Sequence, residues 1–259
     1  MKRFLTVMAV LLVAGFQMNA QTMEKSFDVD DFTGINISDA FDVTLVQSSE
    51  YEVIVEITED FLPYVMVGNK RGVLEVKLDK LPFSLKQKNR KKVAKVRIAM
   101  PKLNSIYLSG ASTLVSDDEF SNEMRRCSIR LRGGSSITYL EFDTPDVEIE
   151  LDGASKAKMR LRTSDVDIDL AGASKIELSG DATDMTLKAK GASKFDGERF
   201  EVREAKVDAR GASTVDVNAS RRLTVSLSGA SKCRYYGDED RLTLKAEKVS
   251  GASTLKHRR

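Results

Sequence analysis

The chain has 259 residues, of which 41 % are hydrophobic and 31 % are charged. That balance is typical of a folded protein and argues against a disordered tail or a bundle of membrane-spanning helices. Lysine and arginine together number 41 and aspartate and glutamate 39. The chain therefore lacks the strong positive field typical of nucleic-acid binders, and we expect no nucleic-acid partner.

The N-terminal segment predicts a secretory signal peptide. Two basic residues precede an apolar run from Phe4 to Phe16, which is shorter than the ~20 residues that a spanning helix needs. We expect cleavage between Ala20 and Gln21, which leaves a mature chain with no transmembrane segment. The mature chain would be exported to the periplasm, the outer-membrane surface or the extracellular space. The alternative interpretation of the apolar run is a buried N-terminal helix.

Residues 27–100 predict irregular β-strands. Gly68 to Gly72 predict a turn between two of them, and the basic residues 86–92 predict a solvated loop. Because the strand pattern continues across that loop, we expect one elongated domain over residues 21–259, in which these strands cap the first repeat. The alternating segments are Ile35–Ile37, Phe41–Leu45, Tyr51–Ile57 and Val73–Leu78.

Residues 101–259 carry a Gly-Ala-Ser triplet about every twenty positions, which is the strongest signal in the sequence. Apolar residues stand two and four positions before most of the glycines and four positions after them. Such alternation predicts strands with one buried face, joined by a tight corner at the triplet and by a variable loop. The triplets begin at Gly110, Gly153, Gly172, Gly191, Gly211, Gly229 and Gly251, with a drifted copy at Gly133–Ser135.

A repeat made only of strands can bury its apolar edge only by coiling and stacking on its neighbours. The sequence therefore predicts an all-β fold, a β-solenoid with ~20-residue turns spaced by ~4.8 Å, preceded by a less regular N-terminal β cap. In this fold Ile149, Ile168 and Leu187 should form one column of the core. Cys127 and Cys233 would lie five turns apart, far beyond disulfide distance, so we expect two reduced core cysteines.

Three positions after the glycine, the repeats carry Lys156, Lys175, Lys194 and Lys232, which we name the lysine row. Three of them stand in successive repeats and would repel one another at ~4.8 Å spacing. One hypothesis is that the row meets an anionic polymer. The alternative is that long, solvated lysines only discourage association of strand edges.

A carbohydrate-active enzyme is a weaker hypothesis. Glu150 and Asp169 would lie one turn apart, close to the ~5–5.5 Å separation of a retaining glycosidase pair. However, the only histidine is His257, near the C-terminus, and the chain has no tryptophan to stack against a sugar. The sequence also has no cysteine–histidine spacing typical of a metal site. We therefore predict no catalytic residues, no cofactor and no metal.

Three motifs carry a family resemblance: Phe32–Asn36, Phe41–Gln47 and Leu108–Ser112 with its later echoes. Together they resemble the putative auto-transporter adhesin, head GIN domain family, over roughly residues 30–255. The resemblance implies a right-handed single-stranded β-helix, exported by Gram-negative bacteria, with no catalytic residues to transfer.

Shape and resemblance favour an adhesin-like module of the cell envelope or surface. Its partner would be a glycan or another envelope polymer. The alternative is a structural envelope protein that associates with itself through the ends of the solenoid.

Overall fold

The computed structural model describes residues 21–88, 92–121 and 126–258. The predicted signal peptide, including Ala20, lies outside the described residues, and Gln21 is the first residue described. The chain folds into an all-β solenoid of about seven turns, which confirms the predicted fold class. Its handedness stays a prediction from the family resemblance. Within the described ranges, no helix is both long and apolar enough to cross a membrane.

The strands of the described residues belong to one continuous sheet that winds around the core. The first ten are β1 (Thr22–Ser26), β2 (Gly34–Ile37), β3 (Asp42–Gln47), β4 (Glu52–Thr58), β5 (Val65–Lys70), β6 (Val73–Leu78), β7 (Ala94–Met100), β8 (Ser105–Leu108), β9 (Thr113–Ser121) and β10 (Cys127–Leu131). The others are β11 (Ser136–Asp143), β12 (Asp146–Leu151), β13 (Lys156–Leu170), β14 (Lys175–Ala189), β15 (Lys194–Ala209), β16 (Thr214–Leu227), β17 (Lys232–Tyr236), β18 (Thr243–Val249) and β19 (Thr254–His257). A 3-10 helix (Glu59–Tyr64) and α1 (Phe83–Lys88) interrupt the strands.

The predicted N-terminal cap is present, and it begins with coils of its own. Strands β2 and β3 pair in parallel with β8 and β9, so they form a coil although they lack the triplet. Strands β6 and β7 add a further layer on β2 and β3. Antiparallel strands then close this end, because β5 pairs with β6, β4 with β7 and β1 with β4. The turn between β5 and β6 is the one predicted at Gly68 to Gly72.

The predicted basic loop at residues 86–92 is wrong in two respects. Its first residues belong to α1, which ends at Lys88, whereas residues 89–91 lie outside the described part of the chain. Lys92 is half-buried, and its ammonium donates a hydrogen bond to the backbone oxygen of Asp39 at 2.6 Å. Burial lowers the pKa of this lysine, although the nearby carboxylates of Asp39 and Asp42 oppose the shift. The side chain thus stabilises the corner of the first coil instead of extending into water.

The central coils contain no variable loop, contrary to the prediction. Each of β13, β14, β15 and β16 runs unbroken from one triplet to the next. The chain turns a second corner within each of these strands, and the strand has parallel partners both before and after that corner. In β13 that corner falls at Ser164 and Asp165, two successive exposed residues that interrupt the inward-outward alternation. Two side chains in succession point outward there, and the pairing with β14 skips Ser164 and resumes at Asp165.

Two flat faces result, and each carries rows of equivalent residues. The leading face consists of the strand segments that precede each triplet: β8, β10, β12, β18 and the C-terminal halves of β13–β16. The trailing face consists of the segments that follow: β9, β11, β17, β19 and the N-terminal halves of β13–β16. Ile149, Ile168 and Leu187 are register partners on the leading face and are buried, which confirms the predicted core column.

Each residue of the triplet has a separate role at the corner, as the copy at Gly191 illustrates. Gly191 has a φ of +79°, which favours glycine, and the Ala192 N–H donates to the oxygen of Gly172 in the preceding coil at 2.8 Å. The Ser193 hydroxyl is buried and donates to the oxygen of Lys190 at 3.0 Å. The hydroxyl therefore satisfies a carbonyl that the corner removes from the ladder.

The serine hydrogen bond recurs at every buried copy of the corner. In each, the hydroxyl donates to the carbonyl oxygen three residues earlier, at 2.7 to 3.0 Å. The sequence pattern predicts small residues at this position but not this bond. The serines are Ser112, Ser135, Ser155, Ser174, Ser193, Ser213 and Ser231.

Cys127 and Cys233 are both buried free thiols, which confirms the prediction for them. Burial raises the pKa of each thiol to about 12, and the Asp216 carboxylate adds to the shift at Cys233. Because the thiolate is the reactive form, both cysteines are inert packing residues in the folded chain.

Candidate functional site

The lysine row lies along one edge of the trailing face, directly after the triplets. Lys156 pairs in register with Lys175, and Lys175 pairs with Lys194. Thr214 occupies the next coil, and Lys232 follows it. Parallel strands repeat at ~4.8 Å, so the row is a regular array of ammonium groups along the solenoid axis.

Carboxylates compensate only part of the row. Lys194 forms an ion pair with Asp196 at 2.9 Å, two residues along its own strand. Within the described ranges, no carboxylate lies within ion-pair distance of Lys156, Lys175 or Lys232. The ammonium groups of these three lysines therefore remain available to an external anion.

A second row, formed by Lys158, Glu177, Asp196, Asp216 and Arg234, runs beside the lysine row and carries charges of both signs. Its ion pairs join neighbouring coils, and Lys158 lies 3.2 Å from Glu177. Further along, Arg234 donates two hydrogen bonds to the carboxylate of Asp216, whose side chain is only 4 % exposed. Hydrogen bonding to Asp216 raises the pKa of the Arg234 guanidinium. This row is structural, because each of its carboxylates, Glu177, Asp196 and Asp216, is paired with a cation.

The leading face is acidic over β12 and β13. Within the described part of the chain, the leading-face carboxylates of these two strands have three cations at ion-pair distance: Arg126, Arg130 and Lys188. A shallow groove of about 140 Å³ crosses this region. The outward carboxylates are Asp146, Glu148, Glu150, Asp165, Asp167 and Asp169.

Glu150 and Asp169 are register partners, so the structure brings this carboxylate pair together as the enzyme hypothesis requires. Each carboxylate is engaged by a cation, however. Glu150 lies 3.1 Å from Arg130, and Asp169 lies 3.7 Å from Lys188. Both side chains are about half exposed on an open face, and the groove that the described residues form around them is too shallow to exclude water. The arrangement suits ion pairing better than general acid catalysis.

Asp165 lies in a row of carboxylates at the second corner, between Asp146 and Asp184. Although Asp165 is largely exposed, partial desolvation of its carboxyl raises its pKa most, and the charges of Asp146, Asp184 and Asp167 raise it further. A raised carboxyl pKa means that ionisation of this group destabilises the folded chain. The penalty is fully present above the folded-state pKa and disappears below the ordinary carboxyl pKa of ~3.9.

Replacing Asp165 with asparagine should therefore stabilise the protein slightly at pH 7, by about 0.5 kcal/mol or less at this exposed position. The gain should vanish when urea unfolding is repeated below pH 4. Asp208→Asn is the control, because hydrogen bonds from Arg210 lower the pKa of the Asp208 carboxyl, so replacing it should bring no gain at pH 7. A gain for Asp165→Asn that is independent of pH would contradict the electrostatic explanation.

The fold and its surface define a class: an all-β solenoid with flat charged faces. The chain belongs to the family described as "Putative auto-transporter adhesin, head GIN domain", whose model matches residues 31–238. No curated protein matches the chain by sequence.

Solved structures share the fold at low sequence identity. A structure titled "Putative lipid binding protein" from Parabacteroides distasonis aligns with a TM-score of 0.82 and 15 % identity, over 93 % of this chain and 98 % of that one. A putative adhesin from Parabacteroides merdae aligns with a TM-score of 0.81 and 16 % identity, over the same shares of the two chains. At these identities the likeness establishes the fold alone.

Proposed function

We propose that this chain is an exported, non-catalytic binding module of the bacterial envelope or surface. In this proposal the lysine row binds an extended anionic polymer, such as an acidic glycan. The observation that carries the proposal is the alignment of Lys156, Lys175 and Lys194 as register partners in successive coils. The family description, an adhesin head domain, supports a surface role.

The competing explanation, protection of a strand edge, fits the position of the row poorly. Lysines protect an edge when they stand on a strand with one free side. Strands β13, β14 and β15 have parallel partners on both sides, so they present no edge. The like charges stand on strands that are paired on both sides, where repulsion between neighbouring strands costs stability. A polyanion laid along the row would relieve that repulsion.

The polymer class follows from the spacing and the chemistry of the row. Ammonium groups are flexible point charges that do not demand bidentate geometry, so they suit any chain of closely spaced carboxylates or phosphates. Affinity for such a chain should fall steeply with salt, because exposed charges are screened within ~8–10 Å at physiological ionic strength.

The test measures binding of the purified protein to an acidic polysaccharide (alginate) and to a neutral one (dextran). Replacing Lys156, Lys175 and Lys194 together with glutamine should weaken alginate binding at least tenfold. The matched control replaces Lys188, Lys206 and Lys245 on the leading face and so changes the net charge equally. The proposal is wrong if the two triple variants bind alginate alike or if dextran binds as tightly as alginate.

A further inference from the structure

An open groove of about 420 Å³ crosses the trailing face over β13 and β14. Its volume falls within the ~300–1,000 Å³ typical of sites for small molecules. Arg160 lines the groove and follows Lys156 by four residues on β13, which is ~13 Å along an extended strand. The groove therefore lies beside the lysine row and contains none of its four residues. The polar side chains that line it are Tyr139, Lys158, Arg160, Glu177, Ser179 and Arg199.

The groove lies between two β-bulges, one in β11 and one in β15. An extra residue in β11 shifts its register with β13, and Thr138 and Tyr139 point outward in succession there. An extra residue in β15 likewise shifts its register with β14, and Glu198 and Arg199 are both exposed. Bulges re-aim side chains and are frequent beside functional sites. In this chain they direct Tyr139 and Arg199 to opposite sides of one groove.

The small side chain of Ser179 keeps the centre of the groove open. Ser179 is the register partner of Arg160 on one side and of Arg199 on the other, so it stands between two guanidinium groups. The strands of the two arginines are two coil spacings apart, which is ~9.6 Å. A single sugar ring fits in a gap of this width, with an arginine on each side.

The three cations of the groove are paired with only two carboxylates. Glu177 serves two of them, because it lies 3.2 Å from Lys158 and 2.9 Å from Arg199. Glu141 lies 3.7 Å from Arg160. No other carboxylate of the described residues lies at ion-pair distance from these cations. The two arginine side chains are 49 % and 73 % exposed, so N–H donors remain for an external carboxylate.

A sugar that carries a carboxylate fits these groups. Its carboxylate can accept two parallel hydrogen bonds from one guanidinium, which is the geometry that arginine favours. The Tyr139 ring offers an apolar face to the sugar ring, and its hydroxyl is held by Glu141. Glu177 and Ser179 carry oxygens that can accept hydrogen bonds from sugar hydroxyls. A neutral sugar would leave the surplus positive charge unmatched.

We propose that this groove binds a single uronic acid unit, which is held by Arg160 and Arg199 and stacks against Tyr139. The site goes beyond the proposed polymer binding, because it uses no residue of the lysine row and each can fail without the other. In an acidic glycan the groove would select the sugar, whereas the lysine row responds to charge alone.

The test uses free glucuronate, which is too small to span the lysine row. In saturation-transfer NMR the protein should transfer magnetisation to the ring protons of glucuronate, and much less to those of glucose at the same concentration. Tyr139→Ala should remove most of this transfer, and Tyr139→Phe should retain it because the ring remains. Arg199→Gln should also remove most of it, and this change affects a side chain that is 73 % exposed, so the fold should tolerate it.

Two substitutions on the leading face serve as matched controls. Tyr107→Ala removes a partly exposed aromatic ring, and Arg222→Gln removes an arginine that is paired with one carboxylate. Both variants should transfer magnetisation like the unmodified protein, and so should the triple glutamine variant of the lysine row. The proposal is overturned if glucuronate receives no transfer or if glucose receives as much. It is also overturned if the control or lysine-row variants lose the transfer as the groove variants do.

Discussion

Replacing Gly191 with alanine is expected to destabilise the solenoid by about 3 kcal/mol. The φ of +79° costs an L-residue ~1–2 kcal/mol, and the new methyl carbon would lie 2.6 Å from the oxygen of Gly172. That oxygen accepts the Ala192 N–H and is part of the backbone, so it cannot move aside without breaking the ladder between the two coils. Overpacking of this kind adds ~1–3 kcal/mol.

Gly134→Ala is the matched control, because it adds the same methyl group to the same stack of corners. Gly134 stands where the other copies have alanine, and its new carbon would meet only Ala111, at 3.9 Å. Replacing a glycine whose conformation tolerates a side chain usually stabilises a protein by ~0.4–1 kcal/mol, because the unfolded chain loses conformational entropy. In urea unfolding, Gly191→Ala should therefore lower the midpoint concentration, whereas Gly134→Ala should raise it. If both variants lost the same stability, the loss would not depend on which glycine of the corner receives the methyl group, and the explanation from φ and the Gly172 contact would be wrong.

The coil-to-coil register could be predicted from the sequence because one geometry repeats. The triplet places each corner, and the alternating apolar residues then determine which side chains point inward. Arg130, Glu150 and Asp169 stand three positions before their glycines, and the structure pairs them as that spacing predicts. The same reasoning aligns the lysine row. Local periodicity is sufficient because neighbouring coils meet through equivalent residues.

Features that depend on contacts outside the repeat could not be predicted. The corner of the first coil has Asp39 and Ala40 at positive φ in place of the triplet, and Lys92 supports it from 53 positions later. In the last coil, Glu247 breaks the apolar pattern because the register shifts there. Ala246 takes the place opposite Val225, and Lys248 lies opposite Ser226. An inserted residue of this kind is a β-bulge, which interrupts the spacing on which the prediction relies.

The ion pairs of the candidate site could be predicted only in part, because they also depend on contacts that sequence spacing does not show. Sequence spacing shows which residues share a row but not which rotamer each long side chain adopts. Lys194 turns along its own strand to Asp196, whereas Lys188 reaches across to Asp169 in the preceding coil. The buried serine hydroxyls escaped prediction likewise, because small size and hydrogen bonding favour the same residue at that corner.

Removal of the Arg234 side chain is expected to destabilise the protein by about 3 kcal/mol. Asp216 is 3 % exposed, and Arg234 satisfies both of its carboxylate oxygens. Arg234→Ala would leave a buried charge without its partner, which typically costs ~3–5 kcal/mol. The partial exposure of the arginine places the expected loss at the lower end of that range.

Two further variants separate this pair from an ordinary surface ion pair. Arg130→Ala removes an arginine whose partners, Glu148 and Glu150, are both solvent-accessible, so urea unfolding should show a loss of about 1 kcal/mol or less. Asp216→Asn in the Arg234→Ala background should recover part of the larger loss, because a neutral amide is cheaper to bury than an unpaired carboxylate. If both arginine variants lost the same stability, or if the asparagine recovered nothing, the loss would come from packing of the arginine stem and not from the buried charge.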